Sequence, residues 1–325
     1  MALLQDFTLC HGHLREKRIP RSYQASPQTV NLAAMFRLVI LLALLPSTAL
    51  SAELRFLAWN VESGTPRPDD PAEGSDPATI AAQLREFNEY DIVGLSEARP
   101  AAIKQFVDAL SAGSKETFLS VHTATGMDDR LILARRAERL QLLAGYELHR
   151  FGDWLLNSLD DRGNWRHRSP LVAHFQDRET GVEFLCMVNH LARGDAAVRE
   201  RQAIGLRNWA AVQKLPVVAI GDFNFDFDFK TQRGNRAYER FLRAGVWEWV
   251  RPEKLVDSNW ADTDPRLPPD KRVDQYPDSL LDFVFVTAPT KGWQPKSWVV
   301  VREGDFPDTG ETSDHRPVAA TITLP

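Results

Sequence analysis

The 325-residue sequence contains only two cysteines, Cys10 and Cys186, which cannot supply a disulfide framework or a cysteine-ligated zinc site. Cys186 stands in an apolar stretch and is expected to be a buried thiol. Positive charge is not in excess, since 39 Lys and Arg face 44 Asp and Glu, so no global basic field would hold nucleic acid strongly. Internal repeats and a Gly-rich nucleotide-phosphate loop are also absent. The ordinary composition excludes collagen-like, coiled-coil and wholly disordered chains.

A short apolar run near the N-terminus, at 38–45, follows a charged residue at Arg37 and precedes small residues up to Ala52. This pattern is typical of a secretory signal peptide, which we place at 35–52, with cleavage after Ala52 or, as a second choice, after Ala49. The run is shorter than the ~20 residues that a membrane span needs, so we expect no permanent membrane anchor. A disordered tail with a chance apolar patch is the alternative.

Residues 1–34 precede the position where a signal peptide should begin. We interpret this segment as a disordered upstream extension and Met35 as the true start of the protein. The folded domain would then comprise residues 53–325. We expect the mature protein to be secreted or periplasmic, because a signal peptide directs export.

Apolar strands alternate with amphipathic segments from residue 54 onward. Asp76, Asp195 and Asn235 are predicted helix caps, and Pro100 is predicted to begin a further helix. Groups of strands with helices between them favour a layered α/β protein. The predicted strands are 54–60, 91–97, 117–122, 130–135, 140–148, 170–176, 182–189, 215–220, 280–287, 297–301 and 316–323. The predicted helices are 77–90, 100–110, 195–214 and 236–244, and a polar insert covers 251–279.

Carboxylate and amide side chains stand at or beside the ends of the predicted strands. Strand ends hold side chains rigidly while leaving them open to solvent, as a catalytic site requires. Oxygen ligands without cysteine suit a hard cation, either Mg²⁺, Mn²⁺ or Ca²⁺. The residues are Asn60, Glu97, Asp222, Asn224 and Asp282, with Asp314 and His315 in a turn before the last strand.

Six short motifs in this order resemble the endonuclease/exonuclease/phosphatase superfamily. That superfamily includes deoxyribonucleases, abasic-site endonucleases, neutral sphingomyelinases and inositol polyphosphate phosphatases. The resemblance spans residues 54–323 and implies a four-layer α/β/β/α sandwich of two mixed sheets with helices outside and the active site at one rim. The motifs are Trp59-Asn60, Ser96-Glu97, Asn189-His190, Gly221-Asp222-Phe223-Asn224, Leu281-Asp282-Phe283 and Ser313-Asp314-His315.

The resemblance implies a divalent-metal site and a water-orienting pair. Glu97 matches the main metal ligand, with Asn60 beside it and Asp314 as a further ligand of metal or water. Asp222 and Asn224 match the pair that orients the attacking water and holds the scissile phosphate. Turn chemistry is the alternative for that pair. On an extended chain, residues two apart point the same way, as a shared ligand needs.

The resemblance also implies two histidines with carboxylate partners. His315 and Asp282 match a dyad in which the carboxylate fixes the tautomer and raises the pKa of the histidine. His190 matches a second histidine that serves the phosphate or leaving group, with Asp129 as its partner. Arg168 matches a position that contacts substrate phosphate. The alternatives are a structural histidine at His190 and a solvated strand flank at Arg168.

The substrate is less well determined than the chemistry. We expect a secreted metal-dependent phosphodiesterase, foremost a nuclease, with a local basic path at 162–168. The 251–279 insert would form a second wall of the substrate site, and an ordinary solvated loop is the alternative for it. A phosphoesterase acting on a lipid head group or a small organic phosphate is the second hypothesis, and a catalytically dead binding protein is the third. No protein partner is implied, and a monomer is expected.

Overall fold

The computed structural model describes residues 52–63, 74–259, 279–287, 292–302 and 312–324. The predicted upstream extension and signal peptide up to residue 51 lie outside the described residues, as does 260–278 of the predicted insert. The strands are β1 (Ala52–Asn60), β2 (Ile92–Ala98), β3 (Phe118–His122), β4 (Arg130–Arg136), β5 (Leu140–Glu147), β6 (Arg150–Phe151), β7 (Trp154–Leu155), β8 (Leu171–Asp177), β9 (Glu183–His190), β10 (Val217–Asp228), β11 (Trp247–Trp249), β12 (Ser279–Thr287), β13 (Gln294–Val299) and β14 (Val318–Leu324). The helices are α1 (Pro77–Leu84), α2 (Ile103–Ser114), α3 (Ala196–Ala210) and α4 (Arg236–Leu242), with 3₁₀ turns at Pro100–Ala102 and Arg243–Gly245.

Three helices begin where the sequence supplies a capping side chain. Asp76, Asp195 and Asn235 each accept hydrogen bonds from two backbone N–H groups of the first turn of α1, α3 and α4, as predicted. Pro100 begins a 3₁₀ turn rather than the predicted α-helix, which starts at Ile103. Among the described residues, no helix is both long and apolar enough to span a membrane.

Some element boundaries differ from the prediction. Helix α1 ends at Leu84 instead of 90, because the chain must turn before it enters β2. Phe87 and Tyr90 are nevertheless buried, with their rings packed edge to face at 6.1 Å in that turn. Helix α3 ends at Ala210 instead of 214. Strand β13 begins earlier than predicted and includes Pro295, which is tolerated because β13 lies at a sheet edge.

Two mixed six-stranded sheets form the centre of the fold. Their strand orders are β13-β14-β1-β2-β4-β3 and β11-β12-β10-β9-β8-β5. Strands β1 and β2 are parallel, as are β9 and β10, and the other neighbouring pairs in both sheets are antiparallel. The predicted α/β sandwich of two mixed sheets with flanking helices is therefore confirmed.

Strand β1 contributes to two separate parts of the hydrophobic core. Leu54 and Phe56 belong to the cluster that includes the apolar side chains of β9 and β10 in the other sheet. Leu57 and Trp59 belong to the cluster that includes the buried residues of α1 and α2. This alternation follows from the two-residue repeat of a strand. The first sheet is thus covered by the second sheet on one face and by helices on the other.

Gly94 marks a close approach of the two sheets. A Cβ atom at this position would lie 2.6 Å from Val188 Cγ2 and 2.9 Å from Ile220 Cδ1. A larger residue would push β2 away from β9 and β10, which carry site residues. The same interior holds Cys186 as the predicted buried free thiol, and burial raises the pKa of that thiol.

Candidate active site

The polar residues predicted at strand ends come together at one rim of the sandwich. The parallel strands β1 and β2 end there with Asn60 and with Glu97 near the end of β2. The parallel strands β9 and β10 bring His190 and Asp222 to neighbouring ladder positions. Asp282 of the antiparallel strand β12 lies opposite Asp222. Both sheets therefore contribute side chains to one site.

Asn60 lies at the centre of this cluster. Its Nδ2 donates to Glu97 Oε1 at 2.9 Å and to Asp222 Oδ2 at 3.4 Å, and it lies 3.5 Å from His315 Nε2. Its Oδ1 accepts the backbone N–H of Glu62 at 3.0 Å, which fixes the orientation of the amide. One buried amide thus links carboxylates from both sheets.

Glu97 occupies a strained position in a β-bulge. The β2–β4 register shifts between Leu95 and Ala98, and the backbone φ of Glu97 is +55°, in the left-handed region. The backbone N–H of Glu97 donates to Asp129 Oδ1 at 3.2 Å. Bulges of this kind re-aim side chains next to active sites, and a non-glycine residue with positive φ persists only when its surroundings hold it. The bulge directs the Glu97 carboxylate toward Asn60.

Asp222 and Asn224 are adjacent, but not in the way we predicted. The expectation of an extended chain is wrong, because β10 loses its register with β12 after Asp222 and Asn224 has a φ of +51°. The backbone N–H of Asn224 donates to Asp222 Oδ1 at 2.8 Å, and its Nδ2 donates to the Leu191 carbonyl at 3.0 Å. A second bulge, rather than strand alternation, brings these two residues together.

His315 and Asp282 form a buried pair. His315 Nδ1 lies 2.7 Å from Asp282 Oδ2, and Ser258 Oγ accepts the backbone N–H of Asp282 at 3.1 Å. The other ring nitrogen, Nε2, lies 3.7 Å from Asp314 Oδ1 and 4.0 Å from Asp222 Oδ2. Burial alone would lower the pKa of His315, but the charges of Asp282, Asp314 and Asp222 raise that pKa well above its ordinary value.

His190 is a second histidine that lies beside Asp222. Its Nε2 is 3.3 Å from Asp222 Oδ2 and 3.5 Å from Glu97 Oε1, and its Nδ1 is 3.4 Å from Asp129 Oδ1. The side chain is only 4% exposed. The structure therefore places the predicted partner, Asp129, next to this histidine, with the second ring nitrogen directed at the centre of the site.

Arg168 is bound within the protein. Its Nη1 lies 2.6 Å from Asp129 Oδ2, and its Nε and Nη2 donate to the carbonyls of His190 and Leu191 at 3.0 and 3.2 Å. Burial alone would raise the pKa of Asp129, but the charges of Arg168 and His190 hold that pKa below its ordinary value. Arg168 positions Asp129 and the end of β9 here, and its contact with substrate phosphate stays a prediction.

Negative charge predominates at the rim, as a cation site requires. Burial raises the pKa of Glu97, and the neighbouring charges of Asp129 and Asp314 raise it further against the opposing effects of His190 and Arg168. Asp314 Oδ1 is buried and accepts no hydrogen bond from any described residue. The carboxylates near the rim are Glu97, Asp129, Asp222, Asp282 and Asp314, of which Asp282 and Asp129 are paired with His315 and Arg168. These oxygens fit a hard divalent cation.

The predicted metal ligands do not form a complete cage. In the part of the chain that the structure describes, no group of three Asp, Glu, His or Cys side chains is arranged to hold a metal ion. Mg²⁺ often binds through only one or two carboxylates and keeps several of its waters. Glu97, Asn60 and Asp314 therefore fit an ion of that kind better than a fully protein-bound one.

A comparison with known families decides the classification. A family model described as the Endonuclease/Exonuclease/phosphatase family matches residues 57–315, an interval that contains every site residue named above. The chain belongs to this family. The resemblance predicted from the six motifs is confirmed, and the protein is accordingly a phosphoesterase of the endonuclease/exonuclease/phosphatase family.

Solved structures with this fold cover most of the chain at low sequence identity. Mannosyl-6-phosphatase from Bacteroides thetaiotaomicron is 20% identical, with a TM-score of 0.56 over 83% of this chain and 99% of its own. The human Nocturnin catalytic domain, with bound sulfate, is 15% identical, with a TM-score of 0.57 over 84% and 95%. TDP2 from D. rerio, with single-strand DNA product, is 16% identical, with a TM-score of 0.57 over 83% and 99%. No curated protein matches the sequence. At these identities the structures establish the fold alone.

Two residues of this family member's rim escaped the sequence analysis. Glu62 accepts the backbone N–H of Asp314 at 3.0 Å, which ties the loop after β1 to the loop before β14. Arg193 Nη1 donates to Asn224 Oδ1 at 3.0 Å. Both residues closely follow a strand that ends in a predicted site residue. Extending the search for polar residues a few positions past each strand end would have found them.

Proposed function

We propose that this family member is a divalent-metal-dependent phosphodiesterase that hydrolyses nucleic acid by in-line attack of water. The observation that carries the hydrolytic part is the buried Asp282–His315 pair, whose free ring nitrogen faces Asp222 and Asn60 at the carboxylate-rich rim. Hydrolysis of a phosphodiester requires little covalent chemistry from the protein, so catalysis depends mainly on positioning of the reactants and on charge stabilisation.

The residues of the second sheet would act on the water and the phosphate. Asp222 would orient the attacking water, and Asn224 would donate a hydrogen bond to the scissile phosphate. His315, held by Asp282, would accept or donate a proton at Nε2. His190, whose Nε2 lies 3.3 Å from Asp222 Oδ2, would serve the phosphate or the leaving group.

Glu97, Asn60 and Asp314 would hold the divalent cation, for which we propose Mg²⁺ or Mn²⁺, with Ca²⁺ as a further candidate. When bound, such a cation neutralises phosphate oxygens and the leaving oxygen. Asn60 would keep the Glu97 carboxylate in place through its 2.9 Å hydrogen bond. Glu62 would hold the loop that carries Asp314 near Glu97 and Asn60, through the hydrogen bond that it accepts from the Asp314 backbone N–H.

Nucleic acid is supported by the segment 159–168, which ends at Arg168 beside Asp129. Trp165 stacks on His149, with ring centroids 4.3 Å apart and planes inclined by 14°. Arg162 and Arg166 in the same segment are exposed. Aromatic rings and cations close together in one segment suit a single strand, because bases stack on the rings and phosphates pair with the cations.

A phosphoesterase of lipid head groups or small organic phosphates is the second candidate. It is favoured by the acidic balance of the chain, with 39 Lys and Arg against 44 Asp and Glu, which weakens binding of long nucleic acids. One structural neighbour is named as a mannosyl-6-phosphatase. The intact set of site residues argues against a catalytically dead binding protein.

A substrate panel separates these candidates. We expect the purified protein with Mg²⁺ or Mn²⁺ to cleave plasmid DNA or RNA faster than sphingomyelin or a sugar phosphate, and a chelator to abolish cleavage. Gel assays and phosphate release would measure the rates, with His315→Ala as the inactive control for a contaminating nuclease. Hydrolysis of only the lipid or the sugar phosphate would replace the nuclease proposal with the second candidate.

We further propose that the enzyme acts outside the cytoplasm, on the basis of the sequence pattern at 35–52. We expect the expressed full-length gene to yield a periplasmic or secreted product that begins at Glu53. Cell fractionation with N-terminal sequencing measures this directly. A cytosolic product that retains Tyr23 would refute both the export and the assignment of Met35 as the start.

A further inference from the structure

Arg193 stands at the rim of the site, and three of the five N–H donors of its guanidinium are unused among the described residues. Its side chain is 53% exposed, and its Nη1 lies 3.0 Å from Asn224 Oδ1 and 3.2 Å from Asp226 Oδ1. Among the described residues, neither its Nε nor its Nη2 has a partner. A guanidinium presents its donors in a planar fork that matches the oxygens of a phosphate.

The backbone that carries Arg193 is firmly held. Arg199, a residue of α3 that is 8% exposed, donates from Nη1 to the carbonyls of Ala192 and Arg193, both at 2.7 Å. Gln202 accepts the backbone N–H of Ala192 at 2.9 Å. Asp195 caps α3 immediately after this turn. A fixed backbone with an exposed cationic tip is the arrangement expected of a ligand-binding side chain, because little ordering is required on binding.

Arg168, another cation near the site, has fewer unused donors than Arg193. Arg168 is 15% exposed at its side chain, and its Nε, Nη1 and Nη2 already contact Asp129 and the carbonyls of His190 and Leu191. Arg193 is instead exposed and contacts Asn224, the residue proposed to hold the scissile phosphate. A phosphate bound at Asn224 would therefore lie within the reach of the unused side of the Arg193 fork.

We infer that Arg193 is a substrate-binding residue that donates to a non-bridging oxygen of the phosphate held by Asn224. The inference rests on the proposed phosphoester hydrolysis and identifies the group that recognises the anion. Because Arg193 would contact the phosphate and not the leaving group, its contribution is the same whatever alcohol leaves. Its effect falls on KM and on inhibition by inorganic phosphate, with little effect on kcat.

Arg193→Ala tests this inference. We expect KM to rise about tenfold with kcat nearly unchanged, since hydrogen bonds to charged groups at a half-exposed position contribute modestly. The rise should be equal for a nitrophenyl phosphodiester and an alkyl one. The affinity for inorganic phosphate, measured by calorimetry with Mg²⁺, should fall by the same factor. Arg178→Ala removes an equal charge at the far end of β8 and should change neither value.

Asp226→Asn distinguishes substrate binding from a structural ion pair. If Arg193 served only to hold Asp226, this variant would reproduce the loss seen in Arg193→Ala, and the inference would be overturned. We expect an unchanged or lower KM instead, because the Arg193 guanidinium no longer pairs with the charged carboxylate of Asp226. If the wild-type enzyme is active and Arg193→Ala has the same KM, this inference is refuted and the proposed function stands. A wild-type protein that neither hydrolyses any phosphoester nor binds phosphate refutes the proposed function with it.

Discussion

Replacing Glu97 with Gln is expected to remove nearly all activity at low Mg²⁺ while leaving the fold intact. The substitution keeps the shape and the hydrogen bond from Asn60 Nδ2 but removes the charge that would hold the cation. Loss of an outer-shell partner costs about 10–100-fold in metal affinity or activity, so loss of a direct ligand should cost more. Raising Mg²⁺ should restore part of the rate, because the effect is on affinity for the ion.

The same substitution predicts a change in stability that does not depend on turnover. Burial, together with Asp129 and Asp314, raises the pKa of Glu97 in the folded protein. The folded state therefore binds its proton more tightly than the unfolded state, whose carboxyl titrates near its ordinary pKa of about 4.3. The contribution of Glu97 to stability is therefore fully present below that value and is lost as pH rises through the raised pKa. In chelator, Glu97→Gln should lack this loss and unfold at an equal or higher temperature than wild type at neutral pH.

Glu183→Gln provides the matched control. Glu183 begins β9, the strand whose other end carries His190. Its Oε2 lies 2.9 Å from His174 Nε2, and this pair is outside the rim. The substitution should alter neither the Mg²⁺ dependence nor the rate. Calorimetric melting curves and Mg²⁺ titrations of activity would measure both effects. Unchanged turnover of Glu97→Gln at every Mg²⁺ concentration would show that Glu97 is not the metal ligand.

The sheets and the rim were predictable from the sequence for one physical reason. A polar residue at the end of an apolar strand lies where that strand leaves the sheet. Parallel neighbouring strands end on the same side of the sheet, so their polar end residues lie close together. This is why the positions of Asn60 and His190 at strand ends follow from the sequence alone. The pairing of His315 with Asp282 was implied by the resemblance to the family and not by spacing, since the two residues are distant in the chain.

The two β-bulges could not be predicted in this way. Glu97 and Asn224 both adopt positive φ without being glycine, and only the surrounding contacts hold them there. No local sequence pattern predicts such a conformation. Simple strand alternation therefore gave the wrong backbone conformation for Asn224. Arg168 is held by Asp129 and by backbone carbonyls that are distant in the sequence, and no local pattern indicates these contacts. Helix α1 ended early because the chain must turn before it enters β2, a tertiary requirement that the helical pattern does not contain.

The histidine dyad should behave as one unit in a double-mutant cycle. His315→Ala and Asp282→Asn are each expected to lower the rate by about 10²–10⁴-fold, the usual contribution of a positioned acid or base. The double variant should be little worse than His315→Ala, because Asp282 acts only through the ring that it orients. Rates for a nitrophenyl phosphodiester at saturating Mg²⁺ would complete the cycle. If the two losses multiplied in the double variant, the proposal that His315 and Asp282 act as one unit would be refuted.

A second readout separates orientation of the ring from simple loss of packing. Asp282 raises the pKa of His315 against the opposing effect of burial, so Asp282→Asn should lower that pKa, and the NMR titration of the His315 ring should move to lower pH. His174 with Glu183 is a comparable pair outside the rim, at 2.9 Å, and His174→Ala should leave the rate unchanged. If Asp282→Asn folded normally, lost activity and left the His315 titration where it was, the carboxylate would act on the water or the phosphate instead of on the histidine. Because Asp282 Oδ2 lies 2.7 Å from His315 Nδ1, and Asp222 lies on the Nε2 side of the ring, we expect the titration to move.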